Sequence, residues 1–305
     1  MILQKLWLKI FNKKKYSKFK NERSVIFNKN LFDKNIKKRL QDIDLVLKDK
    51  KEISFLHSGN LGDIINSLPV IKEISKNKIC NLFIEKNKLL PTQAQNLNHP
   101  LGKYYLTENS VNKILPLLKK QDYIKNVNIF NNQKIDINLN FFRELPINFN
   151  IDSVRWYFHI TGVHADLNKP YLHNIENHAV KDKIIIIRTN RRKNYLINYN
   201  FLNNYDNTLF LGLEDEYNEL KKEIPNLIFY ECKDFLEMAQ IIQSSKIFIG
   251  NLSFGYTLAE ALKKPRLLES GPNFPLVYPN GSDAYDFYFQ NHFENSFKKL
   301  YLKNN

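Results

Sequence analysis

Apolar residues along the chain fall into short runs that alternate between two periods. Ile53-Ser54-Phe55-Leu56-His57 is a short apolar run of strand type. It passes into the turn-forming cluster Ser58-Gly59-Asn60-Leu61-Gly62, after which Ile64, Ile65, Leu68 and Ile71 recur at helical spacing. Strand, glycine loop and helix in that order put a functional loop at the carboxyl end of a first strand. Downstream, residues 79–84 predict a strand, and residues 86–110 predict mostly loop with helical pieces. Asp122 to Phe130 and Ile135 to Leu139 predict strands. Residues 151–162 predict a helix with Val154, Tyr157, Phe158 and Thr161 on one face and Gly162 as its stop.

A second series follows a connection rich in Asn, His and Pro at residues 166–182. Ile184 to Ile187 is four β-branched residues in a row, the signature of a strand covered on both faces in a parallel sheet. Strands at 208–211, 226–230, 246–249 and 266–269 then alternate with helices at 214–223, 234–244 and 256–262. Beyond the turn signals Asn273-Phe274-Pro275 and Pro279-Asn280-Gly281, residues 285–297 predict an aromatic helix that packs back on the body. The expected class is α/β, with two Rossmann-like domains facing a cleft. The expected divisions are a basic helical extension at 1–50, an N-terminal domain at 51–175, a C-terminal domain at 176–275 and the aromatic helix at 276–305.

Charge adds an anionic partner to this picture. Lys and Arg number 46 against 31 Asp and Glu, a formal +15. The excess is concentrated at the start: residues 1–20 contain Lys5, Lys9, Lys13, Lys14, Lys15, Lys18 and Lys20 and no acid. Leu3, Leu6, Trp7, Ile10 and Phe11 recur there at helical spacing. Such a helix suits peripheral contact with an anionic membrane, is too short and charged to span one, and lacks the apolar core of a secretory signal. A cytoplasmic protein, at most peripheral at the inner face of the membrane, is the expectation. Cys80 and Cys232 read as buried free thiols; the absence of CxxC and of His/Cys ligand spacing predicts no metal and no bound cofactor. Asp42-Ile43-Asp44 lies in a lysine-rich helical segment before the first strand and is set aside as a metal site. The histidines, His57 included, read as structural. No aromatic nucleic-acid module is present, so nucleic acid is not the expected partner.

Three stretches carry candidate chemistry. Ser58, Gly59, Asn60 and Gly62 form a loop with Asp63 at the following helix start; a helix N-terminus lowers a carboxylate's pKa, so Asp63 is a candidate general base. The spacing is neither GxGxxG nor a P-loop. Arg188-Thr189-Asn190-Arg191-Arg192-Lys193 follows the buried strand, where cationic forks meet phosphate; Arg188 and Arg191 are the candidates. Phe248 to Leu262 repeats strand, small polar loop and helix. There the candidates for holding a diphosphate are Gly250, Asn251, Ser253, Gly255 and Tyr256, with Glu260 as acceptor from a ribose.

Gly62 to Ile74 (GDIINSLPVIKEI) together with Lys233 to Pro272 (KDFLEMAQIIQSSKIFIGNLSFGYTLAEALKKPRLLESGP) resembles the glycosyltransferase family that includes the bacterial ADP-heptose:lipopolysaccharide heptosyltransferases. The family carries a G-D-x-x-x-T/S-L-P loop near its start and an F-I-G-N-D-S-G segment near its end. Leu252, Phe254 and Thr257 stand here where the family has an acid, a glycine and a later histidine. The likeness covers the layout of residues 51–275; the basic arm and the tail lie outside it. It implies a GT-B fold, with the acceptor held by the first domain and a nucleotide-diphosphate sugar by the second. It also implies inverting transfer without a metal, with Asp63 as base and Arg188 or Arg191 neutralising the leaving diphosphate. The alternative reading is a non-catalytic nucleotide- or sugar-binding protein that keeps the fold.

Overall fold

The computed structural model describes residues 2–91, 102–147, 150–271 and 277–303, with the side chains of residues 2–4 outside it. The turn signal at Asn273-Phe274-Pro275, part of the 86–110 loop and the Leu3 side chain lie outside the described residues.

Three helices precede the first strand: α1 (Ile2–Phe11), α2 (Lys13–Leu31) and α3 (Lys37–Asp49), the last two joined by a wide turn at Phe32–Ile36. The first sheet holds β1 (Glu52–His57), β2 (Ile79–Ile84), β3 (Asn126–Ile129) and β4 (Ile137–Asn138) in the order β3-β2-β1-β4, all parallel. Its helices are α4 (Leu61–Ser75), α5 (Glu108–Lys119) and α6 (Val154–Thr161). The second sheet holds β5 (Ile184–Ile187), β6 (Thr208–Phe210), β7 (Ile228–Phe229), β8 (Ile247–Asn251), β9 (Arg266–Glu269) and β10 (Ala284–Phe287), in the order β10-β9-β8-β5-β6-β7. It too is parallel throughout. Helices α7 (Glu214–Leu220), α8 (Phe235–Gln243), α9 (Phe254–Leu262) and α10 (Gln290–Lys303) accompany it. In each sheet the chain reverses direction beside the first strand, between β1 and β4 and between β5 and β8, and ligands of open α/β sheets enter at such switch points.

The four isoleucines of β5 are all buried, two into each of the two apolar clusters, as a strand covered on both faces requires. Helix α4 goes further than its periodicity. Ile64 through Ile71 are all buried, including Asn66, Ser67 and Pro69, because α4 packs on α6 and on α9 of the other half. The two halves are joined by backbone and side-chain bonds: Tyr171 N donates to Ala261 O at 2.9 Å, and Asn280 Nδ2 to Asp152 Oδ2 at 3.2 Å. Gly162 ends α6 in the left-handed conformation expected of a stop, at φ 67°.

Two expectations need correction. Helix α5 occupies residues 108–119, where a loop reading ran to 110; Thr107 caps it by accepting from Ser110 N at 3.2 Å, and it buries Val111, Ile114, Leu117 and Leu118. The tail is not one helix from 285 to 297. Residues 284–287 add a sixth strand beside β9, and the helix begins at Gln290. The second unit therefore extends past 275. Tyr285 and Phe287 alternate with Asp286, a strand period, while Phe293, Phe297 and Leu300 recur at helical spacing and are fully buried.

Candidate active site

Helix α4 starts where β1 ends, so the 58–63 loop sits at the β1/β4 switch point. Ser58 and Gly59 are buried, while Asn60, Leu61, Gly62 and Asp63 keep partial access to solvent. Asp63 is the third residue of the helix. Its Oδ2 accepts from Arg143 Nη2 at 3.0 Å and from Asn60 Nδ2 at 3.2 Å. Burial pushes the Asp63 carboxyl above its ordinary value, and the Arg143 charge and the Asn60 bond oppose the shift without cancelling it. The dipole argument expected the opposite direction; desolvation wins because the side chain keeps only 15% of its surface.

Arg143 was not singled out from sequence. It lies in the short turn 139–144 after β4, and its guanidinium stacks on Phe142 at 4.4 Å and Tyr105 at 4.6 Å. Its Nη1 donates to Asn140 Oδ1 at 2.9 Å, which also accepts from Ser58 N at 3.0 Å. The guanidinium lies directly on Gly59: a Cβ there meets Arg143 Nη2 at 1.7 Å. This close approach is the physical reason for that glycine.

His57 holds the loop from the other side. Gly59 N donates to His57 Nδ1 at 3.2 Å, which leaves the ring proton on Nε2. Nε2 donates to Tyr157 Oη at 2.8 Å, and Tyr157 donates to the Asp63 backbone carbonyl at 2.8 Å. Burial first, then the Arg143 charge, lowers the His57 pKa, so the ring stays neutral. Structural is the right description of His57, and its structural work is on the Asp63 loop. Ser58 acts through its backbone; its side chain is buried, and among the described residues the hydroxyl has no hydrogen-bond partner.

In the second half, the carboxyl ends of β5 and β8 are tied together by Asn251. Its Oδ1 accepts from Thr189 N at 2.9 Å, and its Nδ2 donates to Thr189 O at 2.7 Å. Ser253 caps α9 by accepting from Tyr256 N at 3.2 Å. Gly250 and Gly255 are packing glycines: a Cβ at Gly250 meets Ile187 O at 2.7 Å, and one at Gly255 meets Ile187 Cδ1 at 2.2 Å. Tyr256 is fully buried. Gly62 of the first half faces Thr257 of α9, a Cβ on Gly62 lying 3.4 Å from Thr257 Oγ1. The positive ends of α4 and α9 thus meet across the cleft, with Asp63 at the edge of one and Ser253 at the start of the other.

Two expected ligand contacts point elsewhere. Arg188 is 3% exposed; its Nε and Nη2 grip Glu269 at 2.7 and 3.1 Å, Nη2 also donates to Ile197 O at 3.0 Å, and the guanidinium lies over Tyr199 at 4.5 Å. Glu260 is buried against Arg266, Nε to Oε2 at 2.5 Å, and Lys263. Both side chains form internal ion pairs whose partners, Glu269 and Arg266, lie on β9. Arg191, by contrast, is exposed at the end of β5.

No family model matches the chain, and no curated protein matches it. Solved structures do. The glycosyl transferase family 9 protein from Veillonella parvula aligns over 83% of this chain and 98% of its own at 14% identity and a TM-score of 0.51. The E. coli heptosyltransferase WaaC with ADP aligns over 82% and 99% at 8% identity and a TM-score of 0.56. The E. coli ADP-heptose lps heptosyltransferase II aligns over 83% and 99% at 10% identity and a TM-score of 0.51. Two parallel sheets with their switch points facing one cleft are the GT-B arrangement, and in fold this chain is similar to the heptosyltransferase-type glycosyltransferases.

Proposed function

We propose that the chain is a glycosyltransferase that moves a sugar from a nucleotide-diphosphate donor to a cell-surface glycan or lipopolysaccharide-type acceptor. The observation that carries the reading is Asp63: a desolvated carboxylate, held by Arg143 and Asn60, at the meeting point of two helix N-termini. Asp63 accepts the proton of the acceptor hydroxyl as its oxygen attacks the anomeric carbon from the face opposite the leaving group. The glycosidic bond forms, the bond to the diphosphate breaks, and the configuration inverts. Arg191 and the amides at the start of α9 stabilise the departing diphosphate, work that needs no metal and no bound cofactor in this scheme. Asn251 ties β5 to β8 on the donor side, and Gly62 of the 58–62 loop abuts Thr257 across the cleft. The structurally similar WaaC, solved with ADP, supports a nucleotide as the donor's handle.

A second reading, a nucleotide- or sugar-binding protein without turnover, is favoured by Arg188 and Glu260 being engaged internally. A panel of ADP-, UDP- and GDP-sugars read by thermal shift finds the donor, since a ligand bound to the folded state raises the melting temperature. Release of nucleoside diphosphate from that donor then supports transfer. Stabilisation with no release over hours supports the binding reading.

A further inference from the structure

We propose that α1 and α2 form an interfacial anchor for an anionic lipid bilayer. The sequence pattern pointed to residues 1–20; the structure extends the surface to residue 31 and adds its shape. Helix α2 has no buried residue along its 19 positions. Trp7, Ile10 and Phe11 on α1 are 58%, 67% and 69% exposed, and Val25, Ile26 and Phe27 on α2 are 65%, 59% and 66% exposed. Apolar side chains this open, contiguous in sequence and left uncovered by the body, call for a partner that supplies hydrocarbon.

Charge selects which partner. Residues 1–31 hold eight lysines and Arg23 against a single acid, Glu22. Between the helices runs a groove of about 390 Å³ lined by Lys5, Tyr16, Phe19, Lys20, Arg23 and Phe27. Cations beside aromatic rings are the chemistry of the headgroup level of an anionic membrane, where lysines meet phosphates and rings sit at the hydrocarbon boundary. A nucleic acid supplies phosphate but no hydrocarbon for Ile10, Val25 and Ile26. A second copy brings the same positive charge and is repelled.

The anchor is fixed to the body on the Asp63 side. Helix α3 continues from it, and Arg39 of α3 lies 3.9 Å over Phe141 and pairs with Glu144. Phe141 and Glu144 flank Arg143 in the same turn, so the lipid contact is joined to the segment that holds the candidate base. The proposal stands whether or not the cleft transfers sugar.

The test is co-sedimentation of the full chain with vesicles of phosphatidylcholine alone and of phosphatidylcholine mixed equally with phosphatidylglycerol. Binding to the mixed vesicles is expected, about tenfold or more tighter than to neutral ones and weakened by added salt. Trp7→Ser with Phe11→Ser weakens it about tenfold, and separately Lys13→Gln with Lys14→Gln and Lys15→Gln weakens it about a hundredfold. Because these positions are exposed, the variants melt at the wild-type temperature, which distinguishes lost contact from lost fold. No binding to either vesicle, equal binding to both, or binding that neither variant moves overturns the proposal. So does arm-dependent dimerisation or RNA binding by a chain that ignores vesicles.

Discussion

At Asp63, two effects of comparable kind oppose each other, and burial prevails. The carboxyl is protonated at higher pH than its ordinary 3.8, so the acid limb of the turnover profile is expected above that value. Arg143 lowers the Asp63 pKa. Arg143→Gln is therefore predicted to shift that limb further toward neutral pH and to lower turnover, measured as kcat against pH; a limb that stays put contradicts the pairing. None of this was legible in sequence. Asp63 stands out by its place after a glycine loop, but Arg143 lies 80 positions away in an aromatic stretch and Tyr157 another 14 beyond it. The closing of β4 beside β1 brings Arg143 to the loop, and the packing of α6 on α4 brings Tyr157.

At the scale of elements, the glycines divide into two kinds. Gly250 and Gly255 permit α9 and β8 to close on Ile187, while Gly59 permits a guanidinium to lie on the loop. The second kind predicts a separation of fold from function. Gly59→Ala pushes only the far end of the Arg143 side chain, so the melting temperature changes by a few degrees at most, whereas turnover falls about tenfold or more because Asp63 loses its partner. A large loss of stability with unchanged activity in the surviving protein contradicts this. The alternating strands and helices of both halves were legible because each strand is a short β-branched run closed by turn residues. What misled was composition: the aromatic tail reads as one helix until its first four residues are seen to alternate, and α5 follows a proline- and asparagine-rich stretch that hides its start. Arg188 and Arg191 show the same limit. A cation after a buried strand reads as a phosphate contact, yet the buried carboxylate of Glu269, 81 positions on, takes Arg188 inward. Arg188→Ala is predicted to cost about 3–5 kcal/mol by leaving that carboxylate unpaired. Arg191→Ala leaves urea unfolding within about 0.5 kcal/mol of wild type but weakens donor binding about tenfold.

Across the whole molecule, the two halves meet at buried polar groups as well as apolar ones. Asp152 sits there, bonded to Asn280 of the other half, and burial pushes its carboxyl up to about 6 from an ordinary 3.8. A carboxyl raised in the folded state favours folding most below the unfolded value, and that contribution is lost as pH rises through the folded one. Asp152→Asn is therefore predicted to remove a loss of order 2 kcal/mol between pH about 4 and about 6, seen as a flatter plot of unfolding free energy against pH. An unchanged slope contradicts the shift. The two-unit layout was legible from the chain; the junction was not, since it joins α4 to α9 and Asp152 to Asn280 across more than a hundred residues.

The most direct measurement of the central claim is turnover by Asp63→Asn with the donor that binds best. Asn keeps the shape and the bond from Arg143 but cannot take a proton. The account predicts that nucleoside-diphosphate release falls about 10²–10⁴-fold while the dissociation constant for the donor stays within about twofold of wild type. A variant that turns over at the wild-type rate contradicts Asp63 as the base.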